Sequence, residues 1–190
     1  MPSSEETIDL IDDDSQRHIC VTSHKATVRE RVGGLDVTLF DFPAGSFFQN
    51  NNSILGPLTT YVQNAIFRDE STSQDDTHTG RSRAPTHLVD TYCGSGLFSI
   101  SLSKRFKYVA GIEIDANAIS CARHNLLLNN LDIKYEDGKK KHAFHAGKTE
   151  DIFASVLSAS AEPFPANDTV VIIDPPRKGC DVNFINQLTA

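Results

Sequence analysis

The chain has 190 residues, of which 39% are hydrophobic, and this length and composition suit one domain of ordinary size with a buried core. Its formal net charge is -7, which argues against a protein that binds nucleic acid through a strongly basic surface, since phosphate contacts come from Lys and Arg. The four cysteines form no CxxC pair and have no histidine at metal-ligand spacing, so neither a disulfide framework nor a zinc site is predicted.

The front of the chain is predicted to have three parts. Residues 1–17 are acidic and lack the features of a signal or transit peptide, so we expect a disordered N-terminus on an intracellular protein of the cytoplasm or nucleus. No later apolar run approaches about 18 residues, so no membrane span is predicted. Residues 18–69 are predicted to form a β-rich segment and a helix that lead into the core. Within them, residues 18–42 are rich in β-branched side chains and are interrupted at Gly33 and Gly34, which predicts a hairpin.

The segment from Ser53 to Phe67 has apolar residues at helical spacing, which predicts an amphipathic helix. Ser53 is the candidate N-cap, and Pro57 is expected in the first turn, where proline is tolerated. Residues 70–87 have no apolar periodicity and are dense in Ser, Thr, Asp and Arg. They are therefore predicted to form a flexible surface insertion.

From residue 88 onward the pattern alternates between short apolar runs and amphipathic segments. This alternation is typical of an α/β domain with parallel strands and right-handed crossovers. The predicted strands cover 87–92, 108–114, 141–146 and 169–174, and the predicted helices cover 97–106, 116–130 and 150–159.

The first chemical motif is DTYCGSG, from Asp90 to Gly96, in which an acid ends a strand and a glycine-rich turn leads into a helix. Gly94 and Gly96 let the backbone approach a ligand, and the helix N-terminus offers N–H groups to a carboxylate or phosphate. The third glycine of the dinucleotide-binding fingerprint is replaced by Ser99, which disfavours a nicotinamide or flavin site. An ordinary β–α turn is the alternative interpretation.

The second motif is GIEID, in which Glu113 ends the next strand. Its carboxylate can accept hydrogen bonds from both hydroxyls of a ribose, so with the glycine turn it predicts a cofactor that contains a nucleoside. The alternative for Glu113 alone is an acid that starts a helix. Asp115 is predicted to be the N-cap of that helix rather than a ligand.

The third motif is VIIDPPRKGC, in which Asp174 ends the fourth strand of the core. Ligands bind at this edge of an open parallel sheet, and Pro175 and Pro176 restrict the direction in which the aspartate points. A simple strand-ending turn is the alternative. The order of glycine turn, Glu and Asp-Pro-Pro on successive strands is more specific than any one of the three.

The stretches FPAGSFFQNN, DTYCGSGLFSI, GIEID and DPPRKG together resemble the S-adenosylmethionine-dependent RNA uracil-5-methyltransferases, especially the tRNA (uracil-5-)-methyltransferases that form 5-methyluridine in the T-loop. The resemblance covers roughly residues 35–188. It implies a Rossmann-like class I methyltransferase fold, an incomplete parallel sheet with flanking helices, with residues 88–190 as the N-terminal part of the catalytic domain. It further implies S-adenosyl-L-methionine as cofactor and tRNA as partner, with no metal and no membrane.

The resemblance also implies roles for particular side chains. Gln49 is similar to the family's cofactor-contacting glutamine, and Tyr92 and Gly94 are similar to the turn beside the methionine moiety. Glu113 is similar to the ribose-binding acid. Asp174 is similar to the acid that lines the pocket where the sulfonium and the target base meet.

Enzymes of this family add a cysteine thiolate to uracil C6, because C5 is a weak nucleophile, and later remove the C5 proton with a general base. In the family both groups follow the position that corresponds to Ala190, which implies a C-terminally truncated enzyme that is inactive alone. Cys180 occupies a position without a catalytic thiol in the family, and Cys93 and Cys121 are predicted to be packing residues. We therefore predict no catalytic residue in this chain.

Two other functions stay open at this stage. A chain without the nucleophile suits a non-catalytic module that binds S-adenosylmethionine or RNA. The strand, the glycine turn and Glu113 also suit a nicotinamide-dependent oxidoreductase, although Ser99 and the DPPRKG segment disfavour it. Phe47 and Phe48 are each candidates for stacking on a base or for packing in the core.

Overall fold

The computed structural model describes residues 7–9, 22–33, 37–67, 84–131, 140–158 and 164–190. In these ranges the chain forms two β-sheets and five α-helices. The smaller sheet contains β1 (Thr7–Asp9), β2 (Thr27–Val32) and β3 (Thr38–Pro43) in that order. The larger sheet has the order β6-β5-β4-β7 and contains β4 (His87–Thr91), β5 (Tyr108–Glu113), β6 (His142–Ala146) and β7 (Thr169–Ile173). The helices are α1 (Asn52–Ile66), α2 (Leu97–Ser101), α3 (Ala116–Leu128), α4 (Thr149–Leu157) and α5 (Val182–Thr189).

The smaller sheet contains the predicted hairpin. β2 and β3 pair antiparallel, with Val28 opposite Phe42, which confirms that prediction. β1 pairs parallel with β2, in contrast to the disordered N-terminus predicted for residues 1–17. The rest of residues 1–17, and most of the flexible insertion predicted at 70–87, lie outside the described residues.

The larger sheet confirms the predicted α/β organisation. β4 lies between β5 and β7, is parallel to both, and is buried along its whole length. Strands that are covered on both faces are rich in apolar residues, which explains Leu88 and Val89 in β4. Because the strands are parallel, β4, β5 and β7 end at the same edge of the sheet. The DTYCGSG, GIEID and DPPRKG segments therefore meet there.

Two helices differ from their predictions. α1 begins at Asn52 with Asn51 as its N-cap, so the prediction that Ser53 caps it is wrong; the Ser53 hydroxyl instead donates to the Asn51 side chain at 2.7 Å. Pro57 consequently falls beyond the first turn, inside the helix. The helix predicted at 97–106 is interrupted, since α2 ends at Ser101 and a single 3-10 turn follows. No helix within the described ranges is long and apolar enough to cross a membrane.

The contact between β5 and β6 depends on a glycine in β5, which has no side chain. Gly111 of β5 lies opposite Phe144 of β6, and the Phe144 ring covers the glycine. A Cβ on Gly111 would lie 2.5 Å from the Phe144 ring and 2.9 Å from the Cys93 sulfur. The glycine thus makes room for an aromatic side chain in the layer beneath the glycine turn.

Asp90, in β4, fixes the start of α2. Its Oδ2 accepts hydrogen bonds from the Ser99 backbone N–H at 2.9 Å and from the Ser99 hydroxyl at 2.6 Å. Ser99 is in the first turn of α2, so the carboxyl satisfies one of the N–H groups that a helix leaves unpaired at its N-terminus. Burial, together with the smaller effect of the Asp174 and Glu113 charges, raises the pKa of Asp90 to about 7 in spite of the bonds from Ser99.

We predict that Gly111→Ala lowers the free energy of unfolding by about 1–3 kcal/mol, because the added methyl overlaps the Phe144 ring. Gly56→Ala is the matched control. It lies inside α1, where a Cβ would meet its nearest atom at 3.4 Å, and we expect it to raise stability by about 0.5–1 kcal/mol through helix propensity. Urea unfolding measures the free energy of unfolding of both variants. Equal changes in the two would contradict the close contact between Gly111 and the Phe144 ring.

We also predict a pH-dependent effect of Asp90→Asn. The folded carboxyl keeps its proton up to a pH of about 7, whereas the unfolded chain releases it near the ordinary pKa of 3.8. The folded state therefore binds more protons between these values, and the Asp90 contribution to stability falls as the pH rises through that window. Urea unfolding at several pH values should show the asparagine variant gaining stability relative to wild type from about pH 4 to about pH 7 and no further above it. A difference independent of pH would contradict a buried, protonated Asp90.

Candidate functional site

A cleft of about 1360 Å³ lies at the carboxyl ends of β4, β5 and β7. Five of the six residues predicted to bind a cofactor line it, namely Gln49, Tyr92, Gly94, Glu113 and Asp174. Gly96 does not line the cleft. It is buried behind the turn, where a Cβ would lie 2.9 Å from the Ile100 side chain and 3.4 Å from the Cβ of Ala122. Its lack of a side chain therefore serves helix packing.

The glycine turn has an unusual backbone. Tyr92, Gly94 and Gly96 all have positive φ, at 62°, 53° and 93°. For Gly94 a Cβ would meet nothing within 4 Å, so the glycine is required by backbone conformation and leaves open space on the cleft side. For Tyr92 the same conformation is strained, because its Cβ crowds the backbone.

Contacts of its side chain hold Tyr92 in this conformation. The ring packs edge-on against Phe184 of α5, with the ring centroids 6.1 Å apart. Burial raises the Tyr92 pKa, and the neighbouring Cys180 raises it further. Tyr92 thus packs the glycine turn against the core cluster that contains Phe184.

The Glu113 carboxylate is oriented by two backbone amides. Its Oε2 accepts the Gly94 N–H at 3.1 Å, and its Oε1 accepts the Asp115 N–H at 3.0 Å. Each carboxylate oxygen has a second lone pair, so both can accept a further hydrogen bond. The Asp115 carboxylate accepts the Asn117 N–H at 2.8 Å, which confirms its prediction as the N-cap of α3. Glu113 is therefore placed between the two turns that line the cleft.

Asp174 follows β7 directly and is exposed on the opposite side of the cleft. The loop after it turns at Gly179, whose φ is 83° and whose N–H donates to the Pro176 carbonyl at 2.8 Å. Arg177 and Lys178 are exposed on this loop and also line the cleft. The loop therefore places a carboxylate and two cations at the mouth of the site.

The charge of the cleft favours a cationic ligand group. Five acids and three bases line it: Glu113, Asp115, Glu150, Asp174 and Asp181 against Lys148, Arg177 and Lys178. The sequence predicted that the N-terminus of α2 would offer its N–H groups to a ligand, but the Ser99 N–H is bonded to Asp90. One N–H of the first turn of α2 is therefore bonded within the protein and is not available to an external anion.

Phe47 and Phe48 have different environments. Phe48 is 8% exposed and stacks on Phe42 of β3, with ring centroids 4.2 Å apart, so it packs in the core. Phe47 is 83% exposed at the rim of the cleft. Gln49 follows them and also lines the cleft.

The three described cysteines are free thiols and all line the cleft. Burial raises the pKa of Cys93 well above its ordinary value, with the Asp90 and Glu113 charges acting in the same direction. Burial also raises the pKa of Cys121, and the Asp115 charge adds to the effect. Both side chains are therefore protonated at neutral pH, and neither is an activated nucleophile. Within the described ranges, no three His, Cys, Asp or Glu side chains converge as a metal site requires.

Sequence reasoning missed Asn125 of α3, which is fully buried behind the cleft. Its Oδ1 accepts the Asp41 N–H at 2.7 Å, and its Nδ2 donates to the Ser95 carbonyl at 3.2 Å. The signal in the sequence was a polar residue on the apolar face of a helix, flanked by Leu126 and Ala122. A partner for it could not be inferred from that pattern.

Comparison with known proteins places these features in a family. The family model described as tRNA (Uracil-5-)-methyltransferase matches residues 3–190. The tRNA (uracil(54)-C(5))-methyltransferase of Schizosaccharomyces pombe is 41% identical over 172 residues, which are 90% of this chain and 28% of that protein. The enzyme of the same name from Saccharomyces cerevisiae is 42% identical over 171 residues, 90% of this chain and 23% of that protein. The chain thus spans about a quarter of the length of these relatives.

A solved structure supports the same assignment. The tRNA (uracil-54, C5)-methyltransferase of Pyrococcus abyssi, solved in complex with S-adenosyl-L-homocysteine, is 26% identical and superposes with a TM-score of 0.58. The match covers 85% of this chain and 31% of that one, and it confirms the predicted Rossmann-like methyltransferase fold. The match of the family model from residue 3 to residue 190 shows that the chain belongs to the tRNA (uracil-5-)-methyltransferase family.

Proposed function

We propose that this chain forms the S-adenosyl-L-methionine-binding part of an enzyme that methylates uracil C5 in the T-loop of tRNA. The observation that carries the proposal is the convergence of Gln49, Tyr92, Gly94, Glu113 and Asp174 on one acidic cleft. The related enzyme from Pyrococcus abyssi was solved with S-adenosyl-L-homocysteine, the product form of that cofactor.

The residues present fit this cofactor. Glu113 has a free lone pair on each carboxylate oxygen and accepts the two ribose hydroxyls, while Gly94 leaves room for the ligand beside it. Asp174 presents a carboxylate to the cationic end of the ligand, where the amino group and the sulfonium lie. The bound cofactor supplies an electrophilic methyl group.

The proposed acceptor is a uracil turned out of the RNA stack into the cleft. The exposed ring of Phe47 at the rim offers a stacking surface, and Arg177 and Lys178 offer charge to the RNA backbone. The nucleophile for C6 is not proposed among the thiols of this cleft. Cys93 and Cys121 have raised pKa values, and Cys180 packs against the core cluster that contains Phe184. We infer that the complete enzyme uses a thiolate and a base outside these residues.

A module that binds the cofactor without catalysing transfer is the second candidate, and the state of these three thiols favours it for the 190-residue chain taken alone. The nicotinamide-dependent oxidoreductase is disfavoured, because Asp90 occupies the start of α2 and the cleft carries more acids than bases. A pyrophosphate in that cleft would meet carboxylates instead of free N–H groups.

We predict that the chain binds both S-adenosyl-L-methionine and S-adenosyl-L-homocysteine in calorimetric titrations. Glu113→Ala should weaken both by at least about tenfold, because the ribose is common to the two ligands. Asp174→Ala should weaken S-adenosyl-L-methionine more than S-adenosyl-L-homocysteine, because only the former carries the sulfonium charge near the carboxylate.

Asp151→Ala is the charge-matched control, since Asp151 is an exposed acid of α4 that does not line the cleft. It should change neither affinity by more than about twofold. A folded wild-type chain that binds neither ligand would overturn the proposed function. Binding that is insensitive to Glu113→Ala would overturn the assigned role of the cleft.

We predict separate effects for the two phenylalanines. Phe48→Ala should lower the free energy of unfolding by about 3–5 kcal/mol, because it removes a ring packed on β3. Phe47→Ala should leave stability and cofactor affinity unchanged and weaken binding of a T-arm RNA hairpin by at least about fivefold, as expected for loss of base stacking. Denaturant unfolding and fluorescence anisotropy with labelled RNA measure the two effects. Unchanged RNA binding by Phe47→Ala would exclude the stacking role.

A further inference from the structure

We propose that Asn125 is a positioning residue for the cofactor cleft, which fixes the distance between Gln49 on one wall and the glycine turn on the other. The inference rests on the proposed function, since it concerns the same cleft. It adds the group that holds the two walls together, although Asn125 itself does not line the cleft.

The side chain of Asn125 bonds to both walls at once. Its Oδ1 accepts the backbone N–H of Asp41 in β3, and its Nδ2 donates to the backbone carbonyl of Ser95, between Gly94 and Gly96. The Asp41 N–H can only donate and the Ser95 carbonyl can only accept, so the two partners determine which end of the Asn125 amide faces each of them. The side chain is 0% exposed, and an unpaired amide group there would carry the full cost of desolvation.

Asn125, on α3, and Asn129, the C-cap of α3, both bond to the backbone of β3. They bond along the edge of β3 where a further strand could otherwise pair. One turn later, the Asn129 side chain accepts the Leu39 N–H at 2.8 Å and donates to the Leu39 carbonyl at 2.7 Å. The adjacent His124 contacts the Asp41 carboxylate at 2.9 Å, and Arg29 of β2 binds that carboxylate through two hydrogen bonds. The outer edge of β3 is thereby attached to α3 at alternate residues.

The position of β3 determines the position of Gln49. Phe48, the residue before Gln49, stacks on Phe42 at 4.2 Å and lies 5.7 Å from the Phe40 ring, both in β3. A shift of β3 relative to the glycine turn therefore moves the Phe48 ring and Gln49 with it. Gln49 is on the front segment of the chain, and the larger sheet supplies the opposite wall.

The glycine turn has anchors of its own. The Ser99 N–H and hydroxyl bond to Asp90, and the Gly94 N–H bonds to Glu113, all within the larger sheet and its helices. When the Asn125 bond to Ser95 is lost, the turn stays in place, and β3, which remains bonded to α3, is free to move away from it together with Gln49. The effect on ligand affinity is therefore expected to pass through Gln49.

Asn125→Asp is the sharpest variant, because it keeps the size of the side chain and still accepts the Asp41 N–H. It replaces the donor to Ser95 with an oxygen, so two acceptors face each other in a buried site. We expect it to weaken S-adenosyl-L-homocysteine binding by at least about fivefold at a temperature far below its unfolding midpoint.

The test is a double-mutant cycle by calorimetric titration of S-adenosyl-L-homocysteine with wild type, Asn125→Asp, Gln49→Ala and the double variant. The proposal expects the loss from Asn125→Asp to shrink to less than about twofold when Gln49 is already alanine. An equal loss in both backgrounds, or no loss in either, would overturn it. A wild-type chain that fails to bind at all would instead refute the proposed function.

Ser103→Ala is the matched control for general destabilisation. Ser103 is also fully buried, and its hydroxyl bonds to His142 at 2.8 Å at the opposite end of the sheet. It should lower the unfolding midpoint and leave the affinity within about twofold.

If Asn125→Asp does not unfold cooperatively, the same double-mutant cycle is carried out with Asn129→Ala in its place. Asn129 bonds to β3 and not to the glycine turn, so this variant also tests whether the position of β3 acts through Gln49. A loss that is independent of Gln49 in that cycle would equally overturn the proposal.

Discussion

The hydrogen bonds between Ser99 and the buried carboxyl of Asp90 are the interaction on which the site depends. They fix the first turn of α2 to the central strand of the larger sheet, and the glycine turn lies between these two attachments. Because this carboxyl bonds the first turn of α2 from within the protein, the turn has a defined shape that does not require a bound phosphate. Burial shifts the Asp90 pKa to about 7, so the same contact connects the geometry of the turn to pH.

The chain has two parts that meet at α3. The larger sheet provides the glycine turn, Glu113 and Asp174, which are brought together simply because parallel strands end at one edge. The smaller sheet provides Phe47 and Gln49, and it has no strand pairing with the larger one. Side chains of α3 make the connection by bonding to the backbone of β3. An edge strand is thereby covered by amide groups, which also protects it from pairing with another chain.

The charge of the cleft accounts for its preference among nucleoside-containing ligands. A ribose-binding acid and a glycine turn occur in dinucleotide enzymes as well as in methyltransferases, and the motifs alone do not separate them. The separation comes from the environment. The N–H of Ser99 is already bonded, and the carboxylates that line the cleft outnumber the cations. Both features favour a cationic ligand over a pyrophosphate.

Residue patterns were sufficient to predict the alternation of strands and helices from residue 88, the hairpin before it, and the acids that end β5 and β7. Hydrophobic periodicity and the spacing of glycine and acidic residues are local properties, so they can be read directly from the sequence. The family followed from the same motifs. Local pattern was insufficient at α1 and α2, where the capping residue and the break at Ser101 depend on contacts with other parts of the chain.

The packing of Gly96, Phe48 and Asn125 depends on contacts that residue patterns do not contain. A Cβ on Gly96 would meet Ile100 and Ala122, and this packing behind the turn is not encoded in the turn motif; a contact of the Gly96 backbone with a ligand stays a prediction. Phe47 and Phe48 are identical in type and adjacent, and only the position of β3 distinguishes the core ring from the exposed one. Asn125 bonds to residues 84 and 30 positions away, and contacts of that range arise only when the two sheets assemble.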